Sequence, residues 1–414
     1  MLIKISRLLL LVIIVIVCAH YIPDLYWTKF EKSTHIPFVA YSPVLNDFIL
    51  SVYTGSELAR DARFKDSKGN LYDREGYDTL LPFLNYRQLA ALNKMPDTLN
   101  GIPVPLDSVR LNNFNINISA ADIDYEELHL YPLLESASGR VKLEMPADVF
   151  RITNRMEFID CKTNTVDEKK SELFTAKLKE KNFSFPAKLI AGNPTTRKAF
   201  DEGYFVLDSK GKLFHIKMVK GGPFCENTNI PEGTKIVHIA VAENIRKEFY
   251  SYVITEDNKV FLQLYDNYRL QELPVKGYNH KTDRLLIMGD YFFRTITLRR
   301  DNNIESFVTD RNYKLINHYK ESWEGKDESS AGVAAAYIFP FTINFEDNDS
   351  AFTSLFFKFS DTRALLFILL SVFGALALVK YRKESISNSV IDLVLVLFTG
   401  IYGLIAIAAI KNVE

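Results

Sequence analysis

The sequence predicts a mainly β extracytoplasmic domain, propeller-like in its succession of hairpins, with one N-terminal and two C-terminal transmembrane helices. A β-sandwich pair is the alternative for the β region. Three observations lead there. Uncharged apolar runs sit near both ends of the 414-residue chain. Aromatic residues make up 13% of it, with 30 Phe and 21 Tyr, and such residues suit half-buried pleated surfaces. Between the ends, short apolar runs alternate with turns rich in Asp, Asn and Gly.

Residues 1–25 read as a membrane anchor or signal. Leu8 to Ala19 is apolar, with Lys4 and Arg7 before it and Tyr21, Tyr26 and Trp27 after it. Val17-Cys18-Ala19 also fits a signal-peptidase site, and Cys18 raises a lipoprotein reading that Val17 disfavours. A retained anchor is the favoured reading. Residues 362–380 and 390–411 read as two further helices, since a hydrocarbon core of ~30 Å takes ~20 helical residues. Lys380, Arg382 and Lys383 mark the loop 381–389 as cytoplasmic, as Lys4 and Arg7 do the N-terminus. Residues 26–361 then lie outside. Tyr26, Trp27, Phe352, Phe356, Phe357 and Phe359 fall at the outer interface. Asp392, in the first turn of the last helix, complements the helix dipole and is expected to reach water.

Within residues 26–361, "GYFVLDSKGKLFHIKM" (Gly203 to Met218) sets the pattern. Asp208-Ser209-Lys210-Gly211 lies between two apolar runs, and the same four residues recur in "FKDSKGNLYD". Asp257 and Asp301 mark two similar turns. A calcium loop needs a ligand where Lys210 stands, so the turn is read as a hairpin and no metal site is assigned. Period two then puts Phe214, Ile216 and Met218 on one face and His215 with Lys217 on the other, which is taken to be solvent. Helices are expected over Pro82 to Lys94 and from a Thr165-Val166-Asp167-Glu168 capping box. Lys320 to Gly332 is a polar loop that separates the β region from a juxtamembrane segment.

The net charge of −1 gives no basic excess for nucleic acid. Seven scattered histidines and three cysteines form no metal or nucleophile motif, and no phosphate-binding Gly-Lys loop occurs. No catalytic, cofactor or metal residue is assigned. Cys161 and Cys225, the two cysteines of the outer region, can form a disulfide if their Cα atoms come within ~7 Å. Arg140, Arg151 and Arg155 can gather around an anion or serve as salt-bridge partners.

"LYPLLESASGRVKLEMPADVFRITNRMEFID" (Leu130 to Asp160) and "GNPTTRKAFDEGYFVLDSKGKLFHIKM" (Gly192 to Met218) carry a resemblance. The chain resembles an uncharacterised family of Bacteroidetes membrane proteins, over most of its length. The resemblance implies a bacterial inner-membrane protein with a periplasmic domain, neighbouring ABC-transporter components. It supplies no activity, cofactor or site residue. The expected partners are membrane lipids and transporter subunits. The expected function is a non-enzymatic accessory or assembly subunit of an envelope complex, because a simple tether needs only one helix. An envelope sensor or ligand-binding module, and a periplasmic hydrolase, are the rivals.

Overall fold

A computed structural model of the chain describes residues 2–30, 36–53, 62–125, 128–347 and 349–412. The chain divides into two compact units. One comprises residues 36–300 and 304–320; the other comprises 1–35, 301–303 and 321–414.

The first unit is a series of small antiparallel sheets. Three are four-stranded meanders in simple chain order. The first runs through Phe38–Ser42, Asp47–Tyr53, Ala62–Asp66 and Leu71–Tyr72. The second runs through Leu189–Gly192, Tyr204–Leu207, Leu213–Val219 and Gly222–Asn227. The third runs through Ile236–Val241, Phe249–Thr255, Val260–Leu264 and Leu270–Glu272. The fourth sheet is a meander of Arg284–Gly289, Arg294–Arg299, Asn303–Thr309 and Leu315–Ser322, joined at its edge by Phe114–Ile118. The chain is mainly β, as expected, and its sheets are small, antiparallel and not closed into a barrel or propeller. The turn spacing reported the meanders correctly, but closure depends on contacts that turn spacing does not encode.

One turn geometry recurs once in each meander. Residue i receives the N–H of residue i+3 on its carbonyl and donates its own N–H to the carbonyl of residue i+4. The pairs are Asp66 with Gly69 and Asn70, Asp208 with Gly211 and Lys212, Thr255 with Asn258 and Lys259, and Asp310 with Tyr313 and Lys314. The fourth position is left-handed in every copy, with φ of 89° at Gly69, 81° at Gly211, 63° at Asn258 and 63° at Tyr313. Asp208 is fully buried, and its Oδ1 accepts from Lys210 N–H at 2.9 Å and Lys212 N–H at 2.8 Å. Its Oδ2 accepts from Ser184 N–H at 3.1 Å. The Asp-Ser-Lys-Gly stretch therefore turns the chain with its own carboxylate. The third copy is organised by Thr255 rather than the neighbouring Asp257, and the fourth, at Asp310, is the turn after the hairpin that Asp301 marks between Arg294–Arg299 and Asn303–Thr309.

Both faces of the second meander are buried, because its strands carry two apolar sets. Tyr204, Val206, Phe214 and Ile216 pack with Phe150, Phe158 and Phe174, the last on the helix Glu168–Glu180. Phe205, Leu207 and Leu213 pack with Ile236, Ile239 and Val253 of the third meander. Burying each such side chain stabilises by roughly 1.5–3 kcal/mol relative to exposure. This stacking overturns the solvent placement of His215, which is 0% exposed and lies flat on Phe205 with ring centroids 4.4 Å apart. The period was right, but the second face has a sheet against it.

Two local readings shift. The helix expected over 82–94 is the shorter Tyr86–Ala91, preceded by Arg74–Leu80. The helix Glu168–Glu180 is capped by Asp167, whose carboxylate accepts from Lys170 N–H, rather than by Thr165.

The second unit is mostly helical. The N-terminal helix runs Leu2–Phe30 without a break at Pro23. Ser330–Ile338, the hairpin Phe341–Asn344 with Phe356–Phe359, and the helix Ala364–Tyr381 follow. The last apolar stretch is not one spanning helix, as expected, but two, Val390–Thr399 and Ile401–Ala409. They meet at Gly400, whose φ is +56°. A Cβ there would stand 3.2 Å from Pro340 and 3.3 Å from Ile368, so the break requires glycine twice over. Leu11, Val15 and Ala19 pack with Ala375, Val396, Tyr402 and Ala406.

Candidate functional site

In the β unit, buried charges converge on the loop between the first two strands of the third meander. Its sequence is Glu243-Asn244-Ile245-Arg246-Lys247-Glu248. Glu243 holds Lys198 at 2.6 Å, and Lys198 also holds Asp201 at 2.6 Å. Burial raises the Glu243 carboxyl, and Lys198 offsets only part of that. Lys247 stands 3.8 Å from Glu202 and 4.6 Å over the Phe200 ring.

Glu202 is the centre of the side facing the second meander. Its carboxylate accepts from Lys217 at 2.8 Å and from the Tyr265 hydroxyl at 2.7 Å. Burial raises its pKa, but Lys217 and Tyr265 outweigh burial and hold it below the usual carboxylate range. The Glu202 carbonyl meets His215 Nε2 at 2.5 Å. A carbonyl only accepts, so Nε2 carries the proton and Nδ1 accepts from the Tyr268 hydroxyl at 2.9 Å. Burial lowers the imidazole to about 4. Tyr250 stacks on Tyr265 at 3.7 Å and on Tyr268 at 5.1 Å. His215 is thus neutral with both nitrogens engaged, and its chemistry is that of a strut between two sheets.

Glu248 is the centre of the side facing the fourth sheet. It accepts from Arg294 Nη2 at 2.8 and 3.2 Å, pairs with Arg246 at 3.3 Å and accepts from the Tyr313 hydroxyl. Arg294 is 1% exposed and sits 5.4 Å over Phe114. Its Nη1 donates to the carbonyls of Asp290 and Phe293. Arg246 also donates to Asn112. Asp290 accepts from the N–H groups of Phe292 and Phe293, yet burial dominates and pushes its carboxyl up to about 6. Asp290 also lines a cavity of about 80 Å³ with Tyr41, Leu81, Phe83, Phe114 and Met288.

The residues singled out from the sequence fall elsewhere. Arg151 and Arg155 do meet, but on Glu157, at 2.7 and 3.1 Å, and Arg155 also grips Glu168. Arg140 pairs with Glu144 at 2.5 Å. The anion each one meets belongs to the chain. Cys161 and Cys225, the possible disulfide pair, stand here as separate free thiols. Cys161 is exposed beyond the strand Met156–Asp160, whereas Cys225 points into the core, where burial pushes its thiol up to about 12.

In the helical unit, Asp392 is 3% exposed rather than open to water. Both its oxygens accept from Arg7, each at 2.7 Å, and Arg7 also donates to the carbonyls of Lys411 and Ile410. Nearer the other end of the N-terminal helix, a cavity of about 800 Å³ is lined by Asp24, Trp27, Lys326, Phe339 and Lys358 among others.

These features define a class: an antiparallel-β unit of meanders in a chain that also carries two helices, Ile3–Phe30 and Ala364–Tyr381, long and apolar enough to cross a membrane. The family model of a domain of unknown function, DUF4857, matches residues 38–309, and the chain belongs to that family. The matched range ends in the fourth sheet, so it takes in the Glu202–Glu248 network apart from Tyr313. No curated protein matches the chain.

Proposed function

We propose that the protein is a membrane-anchored, non-enzymatic accessory or assembly subunit of an envelope complex such as an ABC transporter. In this reading residues 36–320 present an open, propeller-like array of meanders on the periplasmic side of a bacterial inner membrane. The N-terminal helix is retained. The observation that carries the reading is the Arg7–Asp392 pair. A buried carboxylate in an apolar helix is costly unless matched, and removing one partner of such a pair costs about 3–5 kcal/mol. A cleaved signal would leave Asp392 in that state. The pair joins the two ends of the chain into one membrane unit, which is more apparatus than a tether needs.

The test is purification of the tagged full chain from native membranes. An ATPase and a permease are expected to accompany it. Arg7→Ala should lose them, and the exchange Arg7→Asp with Asp392→Arg should recover them in part. A wild-type chain that elutes alone would overturn the reading. The rival reading, a ligand-binding envelope module, gains support from the arginines around Glu248.

A further inference from the structure

Around Glu248, donors outnumber acceptors. Three loops at one end of the third and fourth sheets bring the groups together. Residues 243–248 supply Arg246 and Glu248, the turn after Gly289 supplies Asp290 and leads into Arg294, and the turn 310–314 supplies Arg311 and Tyr313. Loops carried on a rigid scaffold are where binding residues concentrate. Glu248 is already saturated by Arg294, Arg246 and Tyr313. Arg246 and Arg294 share the Glu248 carboxylate, and Arg311 stands two residues before Tyr313, whose hydroxyl the same carboxylate holds. Arg311 is exposed, and among the described residues its guanidinium meets only the Tyr291 ring, at 5.8 Å.

Two of the five buried donors that lack an acceptor among the described residues lie here. They are Arg294 Nε and the Tyr252 hydroxyl, on side chains each 1% exposed. Tyr252 lies close enough to Arg294 and Glu248 for their charges to act on it. Buried polar groups are rarely left unpaired, and an arginine can only donate. Tyr313 adds a sign of constraint. A bulky residue at φ 63° is strained, and here its hydroxyl is what Glu248 holds.

We propose that Arg246, Arg294 and Arg311 form a binding site for an oxyanion, a phosphate or carboxylate group carried by a small solute. Arg246 and Arg311 reach solvent and offer the planar forks that such groups accept in pairs. Arg294 holds the floor through Glu248 and adds its charge from beneath. Asp290 is the opposing charge, and its carboxylate is turned onto the backbone N–H groups of Phe292 and Phe293. The proposal does not depend on the membrane reading.

The test uses the full chain in detergent. Inorganic phosphate and acetate are titrated separately against sodium chloride at matched ionic strength, which removes general screening. Binding is read by calorimetry and by the thermal midpoint. At least one of the two is expected to bind saturably and raise the midpoint where chloride does not. Arg311→Gln, on an exposed side chain, should leave the ligand-free midpoint unchanged and weaken the affinity at least about tenfold. Arg246→Gln should weaken it further, and Arg140→Gln should leave it unchanged. The absence of a saturable response to both anions would overturn the site. So would an unaltered affinity in Arg311→Gln and Arg246→Gln.

Discussion

The turns at Asp208 and Asp310 are the same backbone made from different residues. Each opens with an aspartate whose Oδ1 accepts two N–H groups, from Lys210 and Lys212 in one and from Asn312 and Lys314 in the other. Each needs a left-handed residue at the fourth place. The second meander puts Gly211 there, which adopts that conformation without strain. The fourth sheet puts Tyr313 there, which does not. The difference separates a turn that only connects strands from one that also delivers a side chain. Gly211 has nothing within 4 Å of where its Cβ would be, whereas Tyr313 closes over Glu248. Tyr268, at φ 58°, does for His215 what Tyr313 does for Glu248.

The comparison can be broken most readily at Asp208. Asp208→Ala strips acceptors from three N–H groups, one of them outside the turn, and should destabilise the protein by about 3 kcal/mol in denaturant unfolding. Asp208→Asn should recover only part, because its amide nitrogen cannot accept from Ser184. A loss below about 1 kcal/mol for Asp208→Ala would show that the carboxylate is dispensable.

His215 gives an effect of similar size that depends on pH. Its pKa falls from 6.5 to about 4 on folding, so between those values the unfolded chain binds the proton and the folded chain does not. Stability conferred by the neutral ring is complete above pH 6.5 and is lost as pH falls toward 4, by about 3 kcal/mol in all. His215→Phe should be less stable at pH 7 yet show a shallower fall from pH 6.5 to 4.5 in urea unfolding. An unchanged slope would mean that other groups set the acid limb.

Gly211→Val should cost about 2 kcal/mol through backbone strain alone. Tyr313→Phe keeps the strained backbone and loses the bond to Glu248, for about 1.5 kcal/mol. If Tyr313→Phe proved neutral, the hydroxyl would not explain the tyrosine, and the contrast between the two turns would dissolve. The smallest effect should be at Asp257, which is exposed and joins its turn only by accepting the Thr255 hydroxyl, as an asparagine oxygen also could. Asp257→Asn should change the midpoint by less than about 0.5 kcal/mol in equivalent stability, whereas Thr255→Val should exceed it.

The strands and their turns were legible because period-two runs and Asp-x-x-Gly are local signals. The turn at Thr255 was legible through Asp257, though not the threonine that organises it, and the copy at Asp310 was not, because tyrosine replaces glycine there. His215 was placed on the correct face and in the wrong environment, since nothing in one strand reports what stacks on it. The arginine cluster was out of reach for the same reason. Arg246, Arg294 and Arg311 come from three separate loops and strands, while Arg140, Arg151 and Arg155 drew attention by being close in sequence. Asp392 was visible as an anomaly, but its partner lies 385 residues away.

That separation has a consequence in time. Ribosomes add ~5–20 residues per second, so Arg7 exists for roughly 20 to 80 s before Asp392 is made. During that interval the guanidinium has no carboxylate to neutralise it. Position 7, under two turns from the start of its helix, lets a long side chain stay hydrated while it waits. A cation in the middle of the same helix would have no such refuge. The order of synthesis thus constrains where along the helix the first member of the pair can stand, and the last-made segment, rather than the first, completes the lock.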